Sequence, residues 1–205
     1  MLPNSTFLIK GFFIGISIAA PIGPISILCI KRTLSNGLSS GLISGLGAAT
    51  ADSVYSFLAM IGISKISKWL FYSQYIIHLV SGIFLIYLGY TIFKSIPVKD
   101  AKKESRIGLI NSYLSTLFLT IINPMTILSF GAIFAGVGLF NNNIEFGYSI
   151  FPTIGVFIGS TLWWIFLCST INLMREKFSQ NNLVLINKLS ALVILGFGII
   201  SIISI

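Results

Sequence analysis

This chain is short of charge, and shortest of acid. Only 9% of its 205 residues are charged, with 13 Lys and Arg against 5 Asp and Glu. So little charge in a chain that is 55% hydrophobic, with a mean hydropathy of +0.97, excludes an ordinary soluble domain. One histidine and two cysteines, Cys29 and Cys168, far apart in sequence, leave no zinc site and no metalloprotease motif. No cofactor is implied. The Gly-rich phosphate loop that ends in Gly-Lys-Ser/Thr is also missing, so nothing supports direct coupling to ATP. The cysteines read as small apolar side chains packed in helices, with a membrane thiol-disulfide relay as the enzymatic alternative.

What remains is apolar sequence in long windows. A bilayer core about 30 Å thick takes roughly 20 apolar residues as helix. Windows of that kind cover residues 11–30, 69–93, 107–144 and 146–174, and residues 33–64 form another interrupted only by Asp52. A sixth window, 189–205, reaches length if its helix begins near Leu183 and Lys188 snorkels. The expectation is an all-α integral membrane protein with six transmembrane helices and almost nothing left for a soluble domain. Residues 1–20 resemble a secretory signal only superficially, because the apolar run continues through Pro21 to Ile30.

The net charge of +8 does not point to nucleic acid, because the basic residues flank the spans. Lys31, Arg32, Lys94, Lys99, Lys102, Lys103, Arg106, Arg175, Lys177 and Lys188 fall on one side, and Lys10, Lys65 and Lys68 on the other. The positive-inside rule then places both termini outside and the charged loop in the cytoplasm, in a multi-pass membrane protein. Three spans, a charged loop and three spans form a 3+3 arrangement. An odd number of spans per half makes the halves inverted repeats. The boundaries are about 1–94 for the first repeat, about 95–108 for the loop and about 109–205 for the second, within one transporter domain spanning 1–205. Short stretches echo between the halves: Pro21-Ile22-Gly23-Pro24-Ile25-Ser26-Ile27-Leu28 with Ile122-Asn123-Pro124-Met125-Thr126-Ile127-Leu128, and residues 47–55 with residues 155–163, which sets Asp52 opposite Ser160.

Asp52 is the acid that cannot reach water at a helix end. A carboxylate at that depth costs about 2.5–3.5 kcal/mol on insertion scales, so it normally faces a partner or a water-filled cavity. A carboxyl group that exchanges its proton as the cavity opens to one side is a minimal proton-coupling device. It lies on a row of small and polar residues at i, i+4 spacing, Ser40, Ser44, Ala48, Asp52 and Ser56, beside a second row of Gly37, Gly41, Gly45, Ala49 and Ser53. Such rows let helices approach closely. Tyr55 lies almost one turn beyond Asp52, and Trp163 and Trp164 sit deep in the fifth span.

Two proline motifs break spans at related places. Pro21 and Pro24, separated by Ile22 and Gly23, interrupt helix 1, and Asn123-Pro124 interrupts helix 4. Each proline removes a backbone donor and leaves carbonyls that protein, water or ligand must satisfy. Paired broken helices are the best sequence pointer to a transporter substrate site.

The residues Ala20-Pro21-Ile22-Gly23-Pro24, Lys31-Arg32-Thr33-Leu34, Gly37, Gly41 and Gly45-Leu46-Gly47-Ala48-Ala49-Thr50-Ala51-Asp52, with Thr120-Ile121-Ile122-Asn123-Pro124, resemble the LysE/RhtB family of bacterial amino-acid exporters. The resemblance implies proton-driven expulsion of amino acids or close derivatives across the cytoplasmic membrane. Where many members carry a basic residue after the Asn-Pro pair, this chain has Met125, and it has Pro-Ile-Gly-Pro in place of a plain Pro-Gly-Pro. The expected substrate contacts are Pro21, Gly23, Pro24, Tyr55, Asn123, Pro124 and Trp163, with Asp52 carrying the proton and no metal. The partners are a small-molecule substrate, protons and the lipid bilayer, with no nucleic acid and with an oligomer left open. An inorganic ion transporter is the alternative, although one carboxylate is thin coordination for a hard divalent cation.

Overall fold

The computed structural model describes residues 3–60, 74–94, 105–123, 126, 129–130, 150–175 and 180–203. Helices form because hydrocarbon offers a backbone no hydrogen bonds, and a helix satisfies its own. The described residues contain no strand and make α1 (Pro3–Ala19), α2 (Pro24–Asn36), α3 (Leu38–Met60), α4 (Gln74–Lys94), α5 (Arg106–Ile121), α6 (Ile150–Arg175) and α7 (Gln180–Ile203). Residues 150–174 and 181–203 are long and apolar enough to cross a membrane, and the pair α1 and α2, bent by 78° at its break, qualifies as a third span. α3 is long enough but diluted by serines, glycines and Asp52. The described parts of α4 and α5 fall short of a full apolar span.

The first expected break is present. Helix α1 stops at Ala19, and α2 restarts at Pro24, which stands at a helix N-terminus where its missing N–H costs nothing. Ser26 Oγ donates to the Pro21 carbonyl at 3.1 Å, satisfying one acceptor released by the break. Helix α2 then runs past Lys31 and Arg32, which the sequence reading placed in a connection, and ends at Asn36. Gly37 alone joins it to α3. Its φ of 94° lies where a side chain would be strained, and its N–H reaches the Thr33 carbonyl at 3.1 Å. Helix α5 starts on Ser105, whose hydroxyl accepts from Gly108 N at 3.2 Å. It stops at Ile121, just before Asn123. Pro124 and Met125 lie outside the described residues.

Small residues set the packing. Gly11 and Gly15 of α1 lie against the backbone of Pro152 and Val156, while Gly155 and Gly159 of α6 lie against Leu8 and Phe12. These are two Gly-x-x-x-Gly faces pressed together, with contacts that advance in the same direction along both helices. Gly47 lets α3 lie equally close to Tyr113 and Leu117 of α5, again in parallel. By contrast α3 and α6 run antiparallel, Gly41 meeting Cys168 and Gly45 meeting Trp164. Helices α4 and α7 are also antiparallel, with Ser81 paired to Ser201 at 3.0 Å and Asn187 Nδ2 donating to the Ile92 carbonyl at 2.8 Å.

The distribution of polarity is that of a protein in lipid. Buried positions include Ser26, Thr33, Ser40, Ser112, Thr116 and Thr120, whereas Phe13, Ile22, Phe166, Leu173 and Ile203 are exposed. Hydroxyls inside and apolar side chains outside reverse the soluble pattern. Replacing Gly155 by Ala would drive a methyl into the Leu8 carbonyl, a backbone atom unable to yield. Gly155→Ala is therefore expected to cost about 1–3 kcal/mol, read as a lower thermal midpoint in detergent. At Gly196 an added methyl meets nothing within 4 Å, so Gly196→Ala is expected to leave the midpoint unchanged or raise it.

Candidate functional site

The polar row of α3 faces inward throughout: Ser40, Ser44, Asp52 and Ser56 are all buried. Asp52 keeps only 3% of its surface. Its Oδ2 accepts a hydrogen bond from Ser160 Oγ of α6 at 2.7 Å, and Ser160 in turn accepts from Trp164 Nε1 at 3.1 Å. The chain indole, hydroxyl, carboxylate brings neutral donors to the aspartate. Gly15 of α1 makes room for this arrangement, since a methyl there would lie 3.0 Å from Ser160 N. The carboxyl group thus sits where α1, α3 and α6 meet.

Tyr55 serves the second break. Its hydroxyl donates to the Ile121 carbonyl at the end of α5, and its ring lies 5.6 Å from that of Phe130. Asn123, buried beside it in sequence, donates from Nδ2 to Thr126 Oγ1 at 3.1 Å, while Thr126 N reaches the Asn123 carbonyl at 3.1 Å. Tyr55 and Asn123 are therefore joined through the end of α5. At the first break Pro24 is buried, Gly23 partly buried and Pro21 exposed. The backbone of Gly23 is extended, and an added methyl would meet nothing within 4 Å. Nothing in the fold obliges that position to be glycine. Trp163 packs against Phe166 with ring centroids 5.7 Å apart and planes tilted by 44°, and its indole N–H is buried without a hydrogen-bond partner. The indole that enters the Asp52 chain is that of Trp164, the neighbouring residue.

A second polar centre lies two turns back along α3, about 12 Å from Asp52 at 1.5 Å per residue. Arg32 of α2 reaches across α3 and α5. Its Nη1 donates to Ser44 Oγ at 2.9 Å, the Ser112 carbonyl at 2.8 Å and Thr116 Oγ1 at 2.7 Å, and its Nη2 to Ser115 Oγ at 2.7 Å. The hydroxyl protons are committed elsewhere, that of Ser44 to the Ser40 carbonyl and that of Thr116 to the Ser112 carbonyl. Their lone pairs are left to face the guanidinium. Charge counting reads Arg32 as a flank of a span, and the serine row at i, i+4 is the signal that an inward cation could meet acceptors there. Among the described residues no three His, Cys, Asp or Glu side chains converge to hold a metal.

Broken helices, an interior of hydroxyls around one carboxyl group, and an apolar exterior define a multi-pass membrane protein of the transporter class. The chain belongs to the LysE type translocator family, whose profile matches residues 16–204. Among its relatives is a Bacillus subtilis (strain 168) protein named "Putative amino acid efflux protein YcgF", 26% identical over 192 residues, or 90% of each chain. Another from the same organism, "Uncharacterized membrane protein YrhP", is 27% identical over 188 residues, covering 86% of this chain and 89% of the relative. No solved structure matches the chain.

Removing the Ser160 hydroxyl leaves two buried groups, the Asp52 carboxyl and the Trp164 indole, without the partner they share. Ser160→Ala is expected to cost about 1–3 kcal/mol, seen as a fall in thermal midpoint, and Ser160→Thr to restore most of it. Lysine cannot reproduce the fork that spans Ser115 and Thr116. Arg32→Lys should lower the midpoint by the equivalent of about 1.5–3 kcal/mol, and Arg32→Met by more.

Proposed function

We propose that this protein is a secondary exporter of amino acids or close derivatives, driven by the proton-motive force across a bacterial cytoplasmic membrane. The observation that carries the reading is Asp52, a buried carboxyl group held by a hydroxyl inside a helical bundle. Among the described bonds Asp52 has neutral company, which suits a group that must exchange a proton during the cycle. Family membership and the printed name of the Bacillus subtilis relative support the cargo class.

The architecture proposed for it is six spans in two inverted halves, α1 with α2, α3 and α4 forming one and the remainder the other. The packing supports this. Spans of like number in an alternating order should run parallel, and α1 with α6 and α3 with α5 do so, whereas α3 with α6 and α4 with α7 run antiparallel. Gly47 lies against the Tyr113 carbonyl and Leu117 N, and Gly155 against the Leu8 carbonyl and Phe12 N, the same atoms four residues apart. The residues aligned between the halves, Asp52 and Ser160, are bonded to each other, as expected where a pseudo-two-fold axis passes between α3 and α6.

In this reading the substrate lies between the Pro21, Gly23, Pro24 break and the Asn123, Pro124 break. Tyr55 and Trp163 wall the path, and the free space over Gly23 admits the ligand to the backbone. Both termini are external, the loop of residues 95–108 is cytoplasmic, and the halves rock about the site while Asp52 picks up and releases the proton.

The test is efflux from cells loaded with dipeptides, following all amino acids together against an empty vector. A selective rise in one or a few, lost when the proton gradient is collapsed, is the expected result. Asp52→Asn is expected to abolish this efflux while membrane insertion remains intact, and undiminished proton-driven efflux in that variant would refute the role of the aspartate.

A further inference from the structure

Among the hydroxyls of α3 shielded from the surroundings, Ser56 stands apart. Ser44, Thr50 and Ser53 each donate to the carbonyl four residues back, at 2.7, 2.8 and 2.8 Å, and Ser40 pairs with Ser112 at 3.4 Å. This is the usual way for a hydroxyl to be satisfied in a membrane helix. Ser56 does not do it. Its side chain is fully buried, with 0% exposure, and its Oγ has no hydrogen-bond partner. A buried hydroxyl without a partner is uncommon in native proteins and calls for a ligand, a water or a stored strain.

Its position says which. Ser56 lies one turn beyond Asp52 on the same face of α3, where Cβ atoms are about 5–6 Å apart. Side chains at that spacing can meet directly, as Trp164 and Ser160 do on α6, but Ser56 Oγ is not bonded to Asp52 and is free to take a water shared with it. Trp164 stands in the same relation to Ser160 on α6, four residues on, and its indole lies against Gly45. Because α3 and α6 are antiparallel, Trp164 and Ser56 occupy opposite sides of the Asp52–Ser160 pair. A large indole closes one side; on the other, the next residue along that face of α3 is a small hydroxyl without a partner.

We propose that Ser56 is the water-side partner of Asp52, the hydroxyl that draws water, and with it the proton, to the carboxylate from the end of α3 opposite Trp164. This rests on the reading of Asp52 as the proton carrier. A conformation that admits water on that side gives Ser56 the hydrogen bond it lacks among its protein neighbours. The protonated water donates to Ser56 Oγ and to the Asp52 carboxylate, and its excess proton passes to the carboxylate, giving the neutral acid, a neutral water and an unchanged serine. With both termini external, α3 runs outward from Gly37, and the Ser56 side is the side from which an inward proton gradient delivers protons. Among the described residues the titratable groups beside this stretch are Asp52 and Tyr55 on α3, with Tyr113 of α5 at Thr50, while Arg32 at Ser44 and Cys168 at Gly41 lie towards the other end of α3.

Ser56→Ala separates this role from a structural one. Deleting an unpartnered hydroxyl should leave the thermal midpoint unchanged or raised, while proton-driven efflux falls roughly fivefold, the scale of one neutral hydrogen bond, with the steeper loss at high external pH. In a chain carrying Cys29→Ser and Cys168→Ser, Ser56→Cys should react with a membrane-impermeant thiol reagent applied to the outer face, faster when substrate is present inside. Wild-type efflux in Ser56→Ala alongside a dead Asp52→Asn would overturn the role of Ser56 alone, as would labelling of Ser56→Cys only from the cytoplasmic face. Intact proton-driven efflux in Asp52→Asn would instead remove the reading on which it rests.

Discussion

The constraint behind this structure is a solvent that neither competes for hydrogen bonds nor drives apolar surfaces together. In water, helices associate by burying leucine; in lipid a leucine gains little by changing neighbours. Association then depends on how closely backbones approach and on where the polar groups go. The glycines of α1 and α6 provide the approach. The hydroxyls are turned inward, most onto carbonyls of their own helix, and a few onto other helices: Ser160 onto Asp52, Ser81 onto Ser201, and the cluster on α3 and α5 around Arg32. Large apolar side chains are left for the outside. The two interior polar centres are met in the same way, Arg32 by hydroxyls of α3 and α5 and Asp52 by the Ser160 hydroxyl of α6.

Breaking a span within such a solvent releases carbonyls, and the protein meets each release with a nearby side chain. Ser26 serves the Pro21 carbonyl, and Tyr55 the Ile121 carbonyl. The second case ties a break to the helix that carries Asp52, because Tyr55 and Asp52 share α3. A movement at the end of α5 is therefore felt on the helix bearing the carboxyl group. Gly23 is different: its backbone is ordinary and its surroundings are open, so its small size serves something other than packing.

Isolation made some of this legible from residues alone. Asp52 stands out because no other acid lies inside an apolar window, and the breaks stand out because proline cannot complete a helical ladder. Partners were harder to read. Ser160 is one of many serines, and only its alignment with Asp52 pointed to it. Trp163 and Trp164 are adjacent and about 100° apart around their helix, so composition cannot decide which one turns inward, and the bundle turns Trp164 toward Ser160. Arg32 was hidden by charge counting: a basic residue next to an apolar window looks like a topology signal, and only the extension of α2 through it reveals an inward reach. The pairing of α1 with α6 had no local signature beyond two glycine repeats far apart in the chain.

That last pairing has a consequence for synthesis. The glycine face of α1 is made well before the face it fits, which belongs to α6, with four described helices between them in the chain. At ordinary elongation rates of about 5–20 residues per second, on the order of ten seconds separates the two. During that interval α1 waits in the bilayer with its backbone groove open to lipid or to any other small-residue helix, and the bundle closes only when almost the whole polypeptide has been made. Its first helix is thus among the last to be secured, which makes the nascent chain, rather than the finished protein, the form most exposed to mispairing.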